Sequence, residues 1–266
     1  MKQIRLAVAF FTLLLSSMPM LAQSVNVDVI AKAEKYVSTF LDQFSEVKCT
    51  ESVQQERLSK SGKVDFDVRS RFDYLLIAQN NGGDLDLNES RFEEQSAKPK
   101  KNVSLLVTNG FATQLLVFHP YYESGFAFAP PEYDVLNGLP VAKVRFRHVR
   151  GMRTPTALYL RGREYPLEMM GTAWIERSTG VVLRIDSELQ SSMEDVGLRT
   201  LLSSVTYAPV FFRGIKEPSW LPSEAVIEVA TPRQHWRNVH RFTNYQRFDV
   251  DTTYQDKVPD TLKGGK

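Results

Sequence analysis

The sequence predicts a mainly β protein of the α+β class, in which two helical segments precede most of the strands. Three observations support this prediction. Apolar residues near the N-terminus recur at helical spacing, most of the later chain alternates apolar and polar residues, and short turn signals separate the alternating stretches. These stretches correspond to roughly nine to eleven strands. No linker rich in Pro, Gly or Ser divides the chain, so we expect a single β-rich domain over residues 23–250.

Residues 1–22 have the layout of a secretory signal peptide, with a positive start, an apolar run and a small, polar cleavage region that ends at Ala22. The apolar run, residues 6–15, is too short to cross a bilayer as a helix, which needs about 20 residues. Gln23 follows the cut, where a lipoprotein would need a cysteine. We therefore expect a periplasmic or extracellular protein with no lipid anchor and no transmembrane segment after cleavage.

Charge and cysteine content exclude several classes of protein. The formal net charge is +2, and loss of Lys2 and Arg5 with the leader brings it to zero, so binding to nucleic acid is not expected. Cys49 is the only cysteine, which excludes an internal disulfide. No neighbouring residue in the sequence is suited to lower its pKa, so we interpret Cys49 as a packing residue.

The first half of the mature chain contains a helix, a hairpin and a polar stretch. Apolar residues from Val29 to Phe44 follow helical spacing and predict an amphipathic helix of about five turns, whose apolar stripe must cover another part of the protein. The extended residues 46–58 and the alternating residues 64–77 flank a turn signal and predict a hairpin. Residues 80–101 are mostly polar, and we expect a long surface loop there, with a short strand near Phe92 as an alternative.

The second half is almost entirely strand-like. Residues 103–118 predict a second helix, which Thr108-Asn-Gly110 interrupts and which ends before Pro120. The clearest hairpin joins residues 167–176 to residues 181–189. Residues 235–249 are expected to close the sheet, with one face formed by Val239, Arg241, Thr243, Tyr245 and Arg247. The tail, residues 251–266, is polar and is expected to be flexible.

No motif for catalysis, for a cofactor or for a metal is present. The two closest histidines, His235 and His240, are five residues apart in a predicted strand and therefore lie on opposite faces, which argues against a shared metal. No glycine-rich nucleotide loop occurs. We expect no enzymatic activity, no cofactor and no metal. Carboxylate pairs of the kind that hydrolyse glycosides leave a hydrolase open as a less favoured alternative. These pairs are Glu51 and Glu56, Asp65 and Asp67, and Asp84 and Asp86.

The densest basic region lies in the predicted strand that contains Arg145 and Arg147. These two side chains share one face of the strand and are candidates for contact with an anionic group. A solvated strand face balanced by acids elsewhere explains the same pattern. Both interpretations stay open.

Aromatic residues are spread over nearly every predicted strand. One or two helices can cover only part of one face of so large a sheet. If the sheet curls, its concave face becomes an apolar trough that can hold a ligand. A closed core beneath the helices is the alternative, and the pattern of aromatic residues fits both.

Three segments resemble the LolA/LolB-like periplasmic lipoprotein carriers and their uncharacterised secreted relatives. They are the strand, turn and strand of residues 171–186 (GTAWIERSTGVVLRID), the Trp220-Leu-Pro222 before a strand, and the closing residues 240–248 (HRFTNYQRF). The resemblance implies a strongly curved antiparallel sheet, or incomplete barrel, covered by the N-terminal helix and a second helical segment. It also implies a hollow that takes acyl chains.

The expected function is therefore that of an exported, non-catalytic binding protein for an apolar or amphiphilic ligand, such as a lipid or the acyl chain of a lipoprotein, in the periplasm. The candidate lining residues are Phe66, Phe72, Phe146, Trp174 and Tyr245. The alternative is an interaction or scaffold protein without a small-molecule ligand. Such a protein would dock onto a partner in the envelope through residues 80–101 and the arginine-rich strand.

Overall fold

The computed structural model describes residues 20–81, 84–93, 108–160 and 162–248. The predicted signal peptide, apart from residues 20–22, and the predicted tail lie outside the described residues. Within the described part, no helix is long and apolar enough to cross a membrane.

Four helical segments and fourteen strands make up the described chain. The helical segments are α1 (Met20–Ser45), a 3-10 helix (Gln114–Phe118), α2 (Pro120–Glu123) and a second 3-10 helix (Glu194–Val196). The strands are β1 (Val47–Leu58), β2 (Val64–Asn81), β3 (Asp84–Glu93), β4 (Thr108–Asn109), β5 (Phe126–Phe128), β6 (Glu132–Leu136), β7 (Leu139–His148), β8 (Ala157–Leu160), β9 (Arg163–Pro166), β10 (Met169–Glu176), β11 (Val182–Leu189), β12 (Thr200–Val210), β13 (Ser219–Ala230) and β14 (His235–Arg247). The sequence predicted fewer strands because several of these are short.

Eleven of the strands form one antiparallel sheet. Their order is β3-β2-β1-β14-β13-β12-β11-β10-β7-β5, with β6 also paired to β7. The two ends of this order do not pair with each other, so the sheet is not closed into a barrel. A second, three-stranded sheet has the order β4-β8-β9. The mainly β architecture with a covering helix is the fold class that the sequence predicted.

Helix α1 forms where the sequence predicted a helix. Its apolar stripe is buried against the large sheet, and its opposite side is exposed. The first buried residue of the stripe, Val29, is 2% exposed and the last, Phe44, is 1% exposed. The chain turns directly from α1 into β1, where the N–H of Phe248 donates to the carbonyl of Glu46 at 2.8 Å. Burial of the stripe, more than intrinsic propensity, holds the helix in place.

The two predicted hairpins are both present. Strands β1 and β2 pair along almost their whole length, from Lys48 opposite Leu75 to Leu58 opposite Val64. Strands β10 and β11 pair across a tight turn at residues 177–181, where the N–H of Gly180 donates to the carbonyl of Glu176 at 3.0 Å. Turn chemistry next to alternating apolar residues was sufficient to locate both.

Glu176 holds the turn between β10 and β11. Its carboxylate accepts hydrogen bonds from the backbone N–H and the hydroxyl of both Ser178 and Thr179 at 2.6–3.0 Å. Burial alone would raise the pKa of Glu176, but these hydrogen bonds outweigh it and lower the pKa to about 2. The ionised carboxylate is therefore part of the folded hairpin.

We expect Glu176→Gln to destabilise the protein by about 1 kcal/mol at pH 7, since the amide cannot accept all of these bonds and the site is partly solvated. The wild-type advantage is full above the ordinary carboxyl pKa of 4.5 and is lost as the pH falls toward about 2. Urea unfolding at pH 7 and pH 3 measures this. The exposed Glu217→Gln serves as the control, and an equal effect in both variants would contradict the assignment.

Residues 80–101 contain a strand where the sequence predicted a surface loop. Strand β3 pairs with β2 over ten residues, from Asp84 opposite Asn81 to Glu93 opposite Phe72. The loop prediction was wrong, whereas the short strand expected near Phe92 is part of β3. The inward-facing side chains of β3 change character along the strand, which hid its full length. Leu85 and Leu87 are apolar, whereas Glu89 and Arg91 form a buried ion pair and break the apolar alternation. Residues 94–101 lie outside the described residues.

The predicted second helix, residues 103–118, is much shorter than expected. Residues 103–107 lie outside the described residues, β4 follows, and only Gln114–Phe118 is helical, as a 3-10 turn. His119 ends this turn in an extended conformation, as its position before proline predicts. Pro120 then begins the four-residue helix α2. All five residues of the 3-10 turn are buried, so the apolar run at residues 115–118 reflects burial on every side rather than one face of an amphipathic helix.

A β-bulge near the end of β14 changes which face its last residues occupy. Between Thr50 and Lys48, β1 advances by two residues while β14 advances by three, from Thr243 to Gln246. The extra residue coincides with Asn244, which has a positive φ of 55°. The sequence placed Tyr245 on the same face as Arg241. The bulge instead turns Tyr245 toward the main core, because one inserted residue reverses the alternation.

Candidate functional site

The concave side of the large sheet, here called the inner face, is covered near one end by α1. The helix lies across the strands. Its residue Lys32 contacts the β10–β11 turn, where a Cβ on Gly180 would meet the Lys32 carbonyl carbon at 2.4 Å. At the other end of α1, the ring of Phe44 stacks on Tyr74 of β2 with centroids 6.1 Å apart. The helix therefore spans most of the sheet width.

The contact between α1 and the inner face is almost entirely apolar. Five stripe residues are at most 2% exposed: Val29, Ala33, Val37, Phe40 and Phe44. Phe40 meets Tyr207 of β12 edge-to-face at a centroid distance of 6.0 Å. Two hydrogen bonds join described side chains of α1 to the sheet region. Tyr36 donates to the Trp220 carbonyl at 3.1 Å, and Lys32 donates to the Arg177 carbonyl at 3.4 Å.

The 3-10 turn Gln114–Phe118 is the second element that covers the inner face. The hydroxyl of Tyr207 accepts from the N–H of Leu115 at 3.3 Å and donates to the carbonyl of Ala112 at 3.3 Å. The Gln114 amide donates to Ser187 and accepts from Ser203 at 3.2 Å, and the two serine hydroxyls are 2.7 Å apart. This turn is thus attached to the sheet by buried hydrogen bonds, whereas the contact of α1 with the sheet is mainly apolar.

A buried ionic cluster lies on the inner face beside the second element. Glu51 of β1 is fully buried and accepts two hydrogen bonds from Arg91 of β3, at 2.7 and 3.2 Å. It also accepts from Nδ1 of His240 on β14, at 2.8 Å. Arg91 contacts Glu89 at 3.1 Å, and Glu89 accepts from the N–H of Gly110 at 2.7 Å. The cluster connects three strands to the segment that leads into the 3-10 turn.

Electrostatics keep Glu51 ionised. Burial would raise its pKa, but the hydrogen bond from His240 and the charge of Arg91 outweigh burial and lower the pKa. The cavity beside the cluster has a volume of about 10 Å³, which is room for about one water molecule. Nε2 of His240 is buried without a hydrogen-bond partner among the described residues. A cavity this small leaves no room for a substrate, so the cluster serves the fold.

The inner face stays half-exposed at its far end, beyond the cluster. Phe66 of β2 and Trp236 of β14 meet edge-to-face there with centroids 6.0 Å apart. The guanidinium of Arg57 lies 5.7 Å from the Phe66 ring and 5.9 Å from the Trp236 ring, and its Nε donates to Asp65 at 2.9 Å. This end combines aromatic surface with a charged group.

Four of the five predicted lining residues lie on the inner face. Phe66 is at the half-exposed end, Phe72 and Phe146 are buried, and Tyr245 packs against the main core. The ring of Phe146 lies over Gly171, where a Cβ would be 2.9 Å from Cζ. Contact of these four residues with a ligand stays a prediction, and the sequence did not reveal the bulge that places Tyr245.

Trp174 is the exception, because the structure places it on the opposite face from the other four. Its neighbours Ala173 and Ile175 are fully buried and point inward, so Trp174 points outward. It packs against a small separate cluster, and the guanidinium of Arg184 lies 5.2 Å from its ring. An aromatic residue in a predicted strand indicates that the side chain is buried, but it does not show on which face of the sheet the side chain lies.

Arg145 and Arg147 lie on the convex side of the sheet, here called the outer face. They line an open groove of about 350 Å³ with Met170 and Glu188 among the other lining residues. Arg145 is already 2.8 Å from Glu132. Contact of these arginines with an anionic group stays a prediction.

Four of the predicted carboxylates contact arginines. Glu51 lies on the inner face, whereas Glu56 contacts Arg237 of β14 at 2.5–2.8 Å, away from the Glu51 cluster. Asp65 contacts Arg57, and Asp67 lies 3.6 Å from Arg69. Glu51, Glu56, Asp65 and Asp67 are thus each paired with an arginine.

Two other candidate residues, Asp84 and Cys49, make contacts within the fold. Asp84 accepts from Tyr121 and Arg153 at 3.1–3.2 Å. Burial raises the pKa of the Cys49 thiol to about 12, which fits its interpretation as a packing residue. Among the described residues, no group of three or more His, Cys, Asp or Glu side chains could hold a metal ion.

Comparison with known proteins gives matches among solved structures only. No family model matches the chain, and no curated protein matches it. The chain is similar to a DUF1329 family protein from Desulfovibrio piger, with 12% identity over 84% of this chain and 95% of that one and a TM-score of 0.45.

A second similar structure is a domain from Vibrio parahaemolyticus, described as a candidate outer membrane lipoprotein-sorting protein. It has 10% identity over 83% of this chain and 94% of that one, with a TM-score of 0.36.

Proposed function

We propose that this protein is an exported, non-catalytic binding protein of the periplasm whose ligand is an amphiphile with an acyl chain, such as a lipid or a lipoprotein. The acyl chain lies between the inner face of the sheet and the elements that cover it. The observation that carries the proposal is the contact between α1 and the sheet, which is apolar along the whole stripe from Val29 to Phe44.

The apolar contact between α1 and the sheet can be replaced by a contact between the sheet and an acyl chain. Attraction between apolar surfaces is non-directional, so an acyl chain can replace stripe side chains on the inner face. A chain of ten methylenes gains about 8 kcal/mol on burial, which is comparable to the loss of about three buried apolar side chains at 1.5–3 kcal/mol each. The two hydrogen bonds from Tyr36 and Lys32 add little resistance, at about 1 kcal/mol each.

To enter, the acyl chain of the ligand has to displace stripe side chains of α1 from the inner face. The residues of the described main core pack against each other, and the cavity beside Glu51 has room for about one water molecule. The 3-10 turn is attached by buried hydrogen bonds, whereas the two hydrogen bonds of α1 are exposed or half-buried, so α1 is the element that moves. Phe66, Phe72, Phe146 and Tyr245 are the proposed contacts of the chain.

A fluorescent fatty-acid probe tests the proposal on the mature chain, residues 23–266. We expect saturable binding that phospholipid displaces. Phe146→Leu should weaken probe binding about fivefold, because it removes aromatic surface from the inner face. Trp174→Leu is the matched control on the adjacent strand, and it should leave binding unchanged because Trp174 points outward. Equal effects of both variants, or no saturable binding by the folded wild type, would refute the proposal.

The second candidate function is that of a scaffold or interaction protein in the envelope. The observation that favours it is the packed state of the described core, which holds α1 in place without a guest. The same experiment separates the two candidates. A folded chain that takes up no probe favours the scaffold, and a chain that binds the probe through Phe146 excludes a purely structural interior.

A further inference from the structure

Strands β7, β10 and β11 carry charged side chains on the outer face, and most of these charges are already paired. Three pairs of opposite charge lie 2.7–3.7 Å apart: Lys143 with Asp134, Arg145 with Glu132, and Arg184 with Asp186. Two residues differ from this pattern. Arg147 of β7 and Glu188 of β11 are exposed and contact no opposite charge within the described part of the chain.

Strand register places these two charges on one line across the sheet, with a methionine between them. Met170 of β10 lies directly opposite Arg147 on one side and Glu188 on the other. Adjacent strands are about 4.8 Å apart, so the Cα atoms of the two charged residues are about 10 Å apart. Nη2 of Arg147 lies 3.9 Å from Sδ of Met170. A positive and a negative group therefore face one another across a thioether.

The same three side chains line one open groove of about 350 Å³. Small residues form part of its lining, namely Ala127, Ala129 and Gly171. Arg145, two residues from Arg147 on the same face of β7, also lines the groove. Its contact with Glu132 is exposed at both side chains and is therefore weak, so Arg145 can turn toward a ligand in the groove.

A zwitterion is the ligand chemistry that satisfies both unpaired charges at once. A guanidinium group binds phosphate through paired, charge-assisted hydrogen bonds, and a carboxylate accepts hydrogen bonds from a primary ammonium group. The apolar part of such a ligand can lie over Met170, because a thioether side chain adapts to varied contacts. In an α-amino acid a single carbon separates the charged groups. Phosphoethanolamine is longer, with two carbons and an ester oxygen between nitrogen and phosphorus, which suits residues about 10 Å apart at Cα.

We propose that the groove at Arg147 and Glu188 is a binding site for a phosphoethanolamine group. The phosphate contacts Arg147, with Arg145 as a second donor, and the ammonium contacts Glu188. The site goes beyond the proposed function, because it lies on the opposite face of the sheet from the proposed acyl-chain contacts. Either proposal can therefore fail without the other.

The test is a titration of the folded mature chain with free phosphoethanolamine at low ionic strength. It is followed through the NMR signal of the ¹³C-labelled methyl group of Met170, which Met170→Leu assigns. We expect a saturable shift, with binding at least about fivefold tighter than that of inorganic phosphate. Arg147→Gln should weaken binding about tenfold, since it removes a charged donor. Glu188→Gln should abolish the preference for phosphoethanolamine over inorganic phosphate.

Exchange of the two charges is the most specific check. Arg147→Glu and Glu188→Arg should each weaken binding by about tenfold or more, because each leaves like charges on both sides of Met170. The double variant Arg147→Glu/Glu188→Arg again has one positive and one negative group, in reversed order. It should bind at least about fivefold more tightly than either single variant, with the ligand reversed.

A paired arginine and glutamate elsewhere on the outer face provide the matched control. Nε of Arg241 on β14 lies 3.0 Å from Glu224 on β13, away from the proposed site. Arg241→Gln/Glu224→Gln should bind phosphoethanolamine like the wild type. The proposal is overturned if the wild type shows no saturable shift, if inorganic phosphate binds as tightly as phosphoethanolamine, or if this control loses as much affinity as Arg147→Gln.

A second arm distinguishes the sources of the phosphoethanolamine group. Sedimentation with vesicles of phosphatidylcholine alone gives the baseline, because the choline ammonium has no N–H to donate to Glu188. If the group belongs to a lipid headgroup, vesicles that also contain phosphatidylethanolamine should sediment more of the wild type than of Arg147→Gln. If the ligand is a free phosphorylated molecule, phosphoethanolamine still shifts the Met170 signal and both proteins stay at the baseline.

Discussion

Replacement of Glu51 by glutamine is expected to destabilise the protein by about 3–4 kcal/mol, the largest effect of any single substitution considered. Glu51 is fully buried and holds both Arg91 and His240. The amide has almost the same shape but no charge, so Glu89 is the one ionised partner of Arg91 that remains among the described residues. Breaking a buried ion pair on one side costs 3–5 kcal/mol because the other charge is left poorly compensated. Urea unfolding at pH 7 measures the loss.

The control for Glu51 is an exposed pair on the same hairpin. Asp65 contacts Arg57 at 2.9 Å, and both side chains are at least 40% exposed. Asp65→Asn should therefore cost no more than about 1 kcal/mol. Similar losses for the two variants would show that the cluster does not behave as a buried pair.

The pH dependence of stability gives a second check on Glu51. Its folded pKa is lower than the ordinary value of 4.5, so its contribution is full above that pH and is lost as the pH falls through the folded pKa. The difference in unfolding free energy between the wild type and Glu51→Gln should therefore shrink below pH 4.5. A difference that stays constant with pH would contradict the assignment of an ionised Glu51.

Replacement of Gly180 by alanine is expected to displace α1 and to cost about 3 kcal/mol. A Cβ at this position would lie 2.4 Å from the carbonyl carbon and oxygen of Lys32, which are backbone atoms of the helix. Gly180 also has a φ of +81°, which costs a residue with a Cβ about 1 kcal/mol. The steric overlap adds about 2 kcal/mol, because the helix backbone must move. Thermal unfolding and the far-UV signal of α1 measure the effect.

Gly197→Ala separates the two contributions. Gly197 has a similar φ of +75°, but no atom lies within 4 Å of its added Cβ. Its replacement should cost only about 1 kcal/mol. If α1 is the element that an acyl chain displaces, Gly180→Ala should also speed up uptake of the fatty-acid probe, whereas Gly197→Ala should not. Equal stability losses in the two variants would show that α1 does not rest on this turn.

Local patterns in the sequence were sufficient for the elements that are governed by local physics. The α1 stripe has the spacing of a helix with one buried side, and the two long hairpins combine alternation with turn residues. These signals survive because each element buries one face and exposes the other. The inward direction of Phe72 and Phe146 followed from the same alternation.

The elements that the sequence predicted incorrectly share a physical cause. Tertiary contacts changed the pattern of apolar and polar residues that the prediction relied on. Strand β3 buries Glu89 and Arg91 as an ion pair with β1, so its inner side does not look apolar. The 3-10 turn Gln114–Phe118 is buried all round, so its sequence resembles a longer helix. The one extra residue near Asn244 turns the side chain of Tyr245 to the other face of the sheet. The alternation of residues in β14 does not predict this bulge.

The sequence by itself determined that the protein is mainly β with an amphipathic helix next to its N-terminal leader pattern, because period and turn chemistry are properties of neighbouring residues. Only the tertiary structure decided which charges meet. Glu51 is 40 positions from Arg91 and 189 positions from His240 along the chain. Strand register alone places Ser52 between Arg71 and Arg241. Pairings of this kind depend on the order and alignment of strands, which long-range packing sets and which local sequence does not encode.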